Sequence, residues 1–283
     1  MQILTNPTDL QECCRNWRAE GHSIALVPTM GYFHAGHESL MTYARGVADK
    51  LVISLFVNPS QFGPGEDLDA YPHDHERDAR IATEHGADVL FMPGANTMYA
   101  ADHATWVEVP ALAAGLCGAS RPVHFRGVCT VVLKLLMLTQ PTEAVFGQKD
   151  WQQLAIIKRM VRDLNVPVRI TGRPIVRESD GLALSSRNVY LTARERAQAP
   201  AIHAGLHVAA VLAASGEHSV AALADAIRDY WREHLPAGQE EYLSFVHPES
   251  LEPQDTVDTA VLCAVAVRLG KARLIDNILM KTN

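Results

Sequence analysis

Short apolar runs alternate with amphipathic stretches over the first two thirds of the chain. Residues 24–27, 51–57, 89–92, 144–146 and 168–170 read as strands, and 51–57 is near-continuously apolar, as a strand covered on both faces should be. Residues 9–20, 38–48, 73–85, 127–138 and 151–164 carry helical spacing. In the last of these, Leu154, Ile157, Met160, Val161 and Leu164 recur at threes and fours. Residues 106–109 are short and extended. Strands alternating with helices predict an α/β architecture, a parallel sheet with helices on both faces. Past Arg177 the pattern changes. Residues 192–216 predict one long Ala-rich helix, opened by Thr192 with Glu195 three positions on, a capping box. Residues 220–234 predict another helix, and 242–247, 260–267 and 273–279 predict strands. Helices followed by strands make a smaller C-terminal α+β domain, so the expected division is 1–177 and 178–283.

Composition narrows the class. A chain of 283 residues with 48% hydrophobic and 20% charged residues can bury a sizeable core and is not disordered. Its net charge of −7, from 25 basic and 32 acidic residues, argues against a nucleic-acid or membrane-surface partner, though it allows a local basic pocket. None of the 5 cysteines has a CxxC or Cys/His ligand spacing, which disfavours a zinc site. The first ten residues lack a signal-peptide core, and no apolar run approaches membrane-span length. The expected compartment is a reducing cytoplasm.

The chemistry concentrates where the strand 24–27 hands over to a helix, in Pro28-Thr29-Met30-Gly31-Tyr32-Phe33-His34-Ala35-Gly36-His37. His34 and His37 are three apart, so on a helical first turn they share a face. That turn has unsatisfied backbone N–H groups and the positive end of the helix dipole, which suit an anion. Gly31 and Gly36 let the backbone approach what is bound. The plain alternative is a His that caps or packs.

Four further segments carry chemistry. Phe56-Val57-Asn58-Pro59-Ser60-Gln61-Phe62 lies past the C-terminal end of a strand, where open α/β sheets place ligands. Asn58 and Gln61 suit a carboxylate or hydroxyl there, against the alternative of an Asn-Pro turn with an exposed Gln. Arg121-Pro122-Val123-His124-Phe125-Arg126-Gly127 either steers anions or is a solvated loop. In Phe146-Gly147-Gln148-Lys149-Asp150-Trp151-Gln152-Gln153, Lys149 can reach phosphate, Asp150 caps a helix or holds a ribose, and Gln153 projects from the first turn. In the segment from Arg177 to Asn188, Ser185, Ser186 and Arg187 put two hydroxyls and a forked cation together, a clamp for an oligophosphate or a plain inter-domain loop.

Together, in order, these five segments resemble the motifs of the pantoate–β-alanine ligase family, in the HxGH nucleotidyltransferase superfamily. The resemblance runs from about Thr5 to the end and is densest between Val27 and Leu191. Phe33 stands where Leu is usual, Gln148 where Glu is common, His73 where Arg is common and Leu184 where Met is common. Gln148 puts a carboxylate role at that position in doubt. The resemblance implies a Rossmann-like nucleotide- and pantoate-binding domain with a smaller lid domain, a homodimer, and condensation of pantoate with β-alanine using ATP and Mg2+. AMP and pyrophosphate would leave through a pantoyl adenylate. It implies catalytic roles for His37, His34, Lys149 and Arg187. ATP would meet Met30, Gly31, His34, Gly36, His37, Gly147, Lys149, Asp150, Val176, Leu184, Ser185, Ser186 and Arg187. Pantoate would meet Gln61, Gln153 and Asn58, and β-alanine would meet Gln61. Two rivals stand beside it. Another HxGH nucleotidyltransferase would keep the histidines and Ser185-Ser186-Arg187 without the paired glutamines. A non-enzymatic nucleotide-binding module would need neither two imidazoles nor Lys149.

Overall fold

The structure, a computed structural model, describes residues 1–280. They form two compact units. The first holds Met1–Ala114, Gly118–Gln148 and Ile156–Pro174, and the second holds Gly115–Cys117, Lys149–Ala155 and the chain from Ile175 onward.

The first unit is built on six parallel strands: β1 (Gln2–Leu4), β2 (Ile24–Thr29), β3 (Lys50–Leu55), β4 (Val89–Phe91), β5 (Glu143–Gly147) and β6 (Arg169–Arg173). Their order is β1-β4-β3-β2-β5-β6. The predicted α/β class is therefore found, with five of its strands at the expected places. β1 carries no apolar run, and Ile3 is exposed on this sheet-edge strand, so the pattern did not announce it. Successive strands build outward from β2 in one direction through β3 and β4, then restart on its other side with β5 and β6. The order reverses at β2, and such switch points open a crevice at the carboxyl ends of the strands. The helix Ala35–Val47 follows β2 directly and buries Leu40, Met41 and Ala44 against Val27, Leu51, Ile53 and Val145 of the sheet.

The second unit carries an antiparallel sheet in the order β7 (Gly238–Val246), β8 (Val261–Leu269) and β9 (Ala272–Met280). One face of it, through Val265, Leu274 and Met280, packs with Ile202, Leu206, Leu223 and Ile227 of the helices Ala201–Ala214 and Val220–His234. The single helix expected over 192–216 is two, Ala193–Gln198 and Ala201–Ala214. Pro200 lacks the N–H that would continue the ladder, yet Ala199 and Pro200 keep right-handed helical angles, so the chain kinks rather than turns away. The capping box is formed: the Thr192 hydroxyl accepts the Glu195 N–H and the Glu195 carboxylate accepts the Thr192 N–H. The expectation that no apolar run nears membrane length needs correction. The two helices together, Ala193–Ala214, span 22 residues and are long and apolar enough to cross a membrane by length and composition. Ile202, Leu206, Ala209 and Ala213 of this stretch are core residues of the second unit.

Candidate active site

β2 ends in a turn that the chain alone would not hold. Gly31 has φ +86° and Tyr32 φ 52°, both left-handed. The backbone angle favours glycine, and a Cβ on Gly31 would stand a tight 3.0 Å from Asp78 Oδ2 and from the Leu55 side chain, so those side chains would have to shift. The turn is clamped by Asp78, a buried residue of the helix His75–Glu84. Its carboxylate accepts the Tyr32 N–H at 2.6 Å and the Phe33 N–H at 2.8 Å. Burial pushes the Asp78 carboxyl above the usual range, and these two hydrogen bonds pull it back. Phe33, anchored beside them, is buried in the core.

The two histidines follow. His34 is the N-cap of the helix Ala35–Val47, and its Nδ1 accepts the Gly36 N–H at 3.1 Å. It therefore caps the first turn rather than lying on it, and His37 alone sits within that turn. The two rings still face each other, with centroids 4.1 Å apart and an interplanar angle of 37°. Because Nδ1 accepts, the neutral His34 ring carries its proton on Nε2. The capping and functional readings of His34 thus coincide: the cap sets the tautomer, and the tautomer makes Nε2 a donor.

Gln61 closes the short 3-10 turn Pro59–Gln61 after β3. Its carboxamide is held from both ends: Oε1 accepts Asn58 Nδ2 at 3.1 Å, and Nε2 lies 3.2 Å from Met30 Sδ. Asn58 is buried and engaged all round. It also donates to the Gly127 carbonyl, and its Oδ1 accepts the Tyr99 and Ser60 hydroxyls, each at 2.9 Å. The Gln61 carbonyl accepts His124 Nδ1 at 3.0 Å and an Arg121 N–H at 3.4 Å. Arg121 is spent on a close ion pair with Glu66. Burial works against the charged Glu66, but the hydrogen bonds and charge of Arg121 hold its carboxyl below the usual range. The segment from Arg121 to Gly127 is thus not simply a solvated loop: His124 is buried and opens the helix His124–Thr139, while Pro122 and Arg126 are exposed.

That helix meets the Gln61 turn at Gly127, where a Cβ would stand 2.5 Å from the Ser60 carbonyl oxygen and 2.6 Å from the Gln61 nitrogen. Both neighbours are backbone, so Gly127→Ala must displace the turn. The expected result is a rise of about tenfold or more in the KM of whatever Gln61 binds, on the scale of about 1.4 kcal/mol per tenfold change, checked by steady-state kinetics. An unchanged KM would show that the Gln61 position is indifferent to this packing.

The second unit holds the other candidates. Lys149 and Asp150 lie in the 3-10 turn Gln148–Asp150, which runs into the helix Trp151–Asp163. Gln152 is buried, accepting the Cys117 N–H at 3.0 Å and donating to the Gly115 carbonyl at 2.8 Å, while the adjacent Gln153 is half-buried. Residues 176–184 form a tight hairpin in which the Leu184 N–H donates to the Val176 carbonyl at 3.0 Å and Arg177 bridges Ala183. Arg196 braces it through ion pairs to Glu178 at 2.6 Å and Asp180 at 2.7 Å. The Ser185 hydroxyl accepts the Arg187 N–H at 3.3 Å and caps the 3-10 turn Ser186–Tyr190. Ser185, Ser186 and Arg187 therefore stand on a braced turn.

Met30, Gly31, His34, Gly36, His37, Asn58 and Gln61 belong to the first unit, with Gly147 at the end of β5; Lys149, Asp150, Gln153, Val176, Leu184, Ser185, Ser186 and Arg187 belong to the second. Asp78 and Tyr99 were not among the residues the motifs pointed to, whereas His124 lay within the quoted segment from Arg121 to Gly127 without a role of its own. Asp78 lies in a polar helix with no motif around it, and Tyr99 acts on Asn58 from 41 residues away, so nothing local marks either.

Residues 2–279 match the family model for pantoate-beta-alanine ligase. A pantothenate synthetase of Nitratidesulfovibrio vulgaris (strain DSM 19637 / Miyazaki F) is 66% identical over 280 residues, covering 99% of each chain. The crystal structure of pantothenate synthetase from Thermus thermophilus is similar with a TM-score of 0.93 at 44% identity, covering 98% of this chain and 99% of that one. Pantoate-beta-alanine ligase from Francisella tularensis, solved with beta-gamma ATP and beta-alanine, gives a TM-score of 0.80 at 33% identity, covering 99% of this chain and 97% of that one. By a match over nearly its whole length, the chain belongs to the pantoate–β-alanine ligase family.

Proposed function

We propose that this ligase, which condenses pantoate with β-alanine using ATP, works in two steps through a non-covalent pantoyl adenylate. The observation that carries the reading is the His34–His37 pair, with rings 4.1 Å apart at a helix N-terminus whose cap orients one of them. A carboxylate is a poor acyl donor because oxide leaves badly. Attack of the pantoate carboxylate on the α-phosphate expels pyrophosphate and makes AMP the later leaving group. The amine of β-alanine then attacks the acyl carbon, and AMP departs.

The protein's work in such a reaction is placement and charge stabilisation. His37 and His34 Nε2–H stabilise charge at the α-phosphate beside the N–H groups of the helix start. Gln61 and Gln153 hold pantoate, and Gln61 also orients β-alanine; Asn58 acts through Gln61, to which it is hydrogen-bonded. Lys149, Ser185, Ser186 and Arg187 hold the phosphates. Met30, Gly31, Gly36, Gly147, Asp150, Val176 and Leu184 contact the nucleotide, partly through backbone. Magnesium enters as the Mg–ATP substrate. Among the described residues no three His, Cys, Asp or Glu side chains group as a metal site, which suits an ion carried mainly by phosphate oxygens and water. A cytoplasmic homodimer belongs to the same proposal. The compartment is supported by the lack of any disulfide among Cys13, Cys14, Cys117, Cys129 and Cys263, and the dimer rests on the family resemblance.

Isotope exchange tests the order of chemistry. With pantoate, ATP and magnesium, labelled pyrophosphate should enter ATP without β-alanine, and leaving out pantoate should stop it. Exchange that strictly requires β-alanine would rule out a freestanding adenylation, and pantoyl groups bound covalently to the chain would overturn the path.

A further inference from the structure

Two consecutive residues of β9 reach Lys149 and the 176–184 hairpin of the second unit from opposite faces of its sheet. Asp276 pairs with Val265 of β8 and Asn277 with Ala264. Val265 belongs to the helix-covered core, whereas Ala264 belongs to the cluster that includes Leu116 and Trp151. Both polar residues are buried, at 4% and 6% exposure, where a polar side chain without a structural partner would be costly. Their partners are specific. Asn277 Nδ2 donates to the Lys149 carbonyl at 3.0 Å across 128 residues of sequence. Asp276 accepts two bonds from Arg177, at 2.6 and 2.9 Å, and Arg177 gives a further bond to the Gly181 carbonyl at 3.1 Å.

We propose that Asn277 and Asp276 are positioning residues for ATP: Asn277 anchors the backbone of Lys149, and Asp276 anchors Arg177 at the base of the 176–184 hairpin. The inference rests on the proposed role of Lys149 at the phosphates. A lysine is a point charge on a flexible stem, so its reach is set by where its backbone is fixed. Lys149 lies in a 3-10 turn, whose own hydrogen bonds are weak, and the Asn277 amide supplies an anchor from outside that turn. Arg177 carries the same charge as Arg187, but three of its contacts point inward to Asp276 and Gly181, which assigns it to the hairpin rather than to the nucleotide.

The test is steady-state kinetics on the full chain with Asn277→Ala, Lys149→Ala and the double variant, each checked by a thermal melt. Asn277→Ala should raise the KM for ATP about tenfold, with the KM values for pantoate and β-alanine within about twofold. In the double variant it should add nothing to Lys149→Ala, because coupled residues are not additive. Asn277→Asp, nearly the same size, should give the same ATP shift and serves where Ala fails to fold. Asp276→Asn should also raise the KM for ATP selectively. Equal changes in all three KM values, no change, or full additivity with Lys149→Ala would overturn the positioning role. If Lys149→Ala itself leaves ATP kinetics unchanged, the Lys149 assignment fails first and is recognised as such.

Discussion

Replacing His37 with Ala is expected to slow adenylation by about 10²- to 10³-fold, the scale on which one electrostatic donor to a developing charge acts. His37 lies within the first turn of the helix Ala35–Val47, with its ring against that of His34. The cap bond belongs to His34, so the loss at His37 should fall on chemistry rather than on the helix start. Pantoate-dependent pyrophosphate exchange reads this directly, and the thermal midpoint should change little. His34→Ala is the instructive contrast. It removes a donor and also the cap on the Gly36 N–H, worth about 1 kcal/mol at such positions. His34→Ala should therefore lower both rate and stability, and His37→Ala chiefly rate. Near-normal exchange in His37→Ala would remove it from the catalytic machinery.

Asp78→Ala is expected to lose about 2–4 kcal/mol of stability and, in the fraction that folds, about 10²-fold in rate. Its carboxylate accepts the N–H groups of Tyr32 and Phe33, and leaving such donors without a partner costs about 1–3 kcal/mol each. The turn they belong to has two successive left-handed residues, a conformation that persists only where its surroundings impose it. Released from Asp78, the turn can relax and carry His34 off the helix cap. Asp78→Asn separates the contributions: its single carbonyl oxygen can accept one of the two N–H groups while its amide faces the other, so its loss should be intermediate. Denaturant unfolding together with the pyrophosphate-exchange rate checks both. A stable Asp78→Ala enzyme with an unaltered rate would show that the turn holds itself.

Much of the fold was legible because its signals are local. β2, β3 and β5 are buried apolar runs, and the helix Trp151–Asp163 repeats its apolar residues at threes and fours. The capping box at Thr192 was readable because both partners lie within four residues. The break at Pro200 was legible in principle, since a proline removes a ladder donor, but Ala-rich continuity on both sides concealed it. β1 was not legible: three residues on a sheet edge take their pairing from β4, far along the chain, and leave no apolar pattern of their own.

The candidate site divides in the same way. The sequence by itself determined the chemical groups on offer: two imidazoles after a Gly-bearing turn, an Asn and a Gln past a strand, a lysine before a helix, and Ser-Ser-Arg in the segment that follows Arg177. Residue identity and short spacing carry that information, because strand-to-helix handovers and helix starts are local events. Only the tertiary structure decided how those groups are held. Asp78 clamps the turn from 45 residues away, Tyr99 and Gly127 set Asn58 and through it Gln61, and Asn277 reaches Lys149 across 128. These partners leave no local mark, since a hydrogen bond between distant segments depends on where the sheet order and the packing bring them. The physical reason is that buried polar groups must be paired, but the chain in one dimension does not say with what.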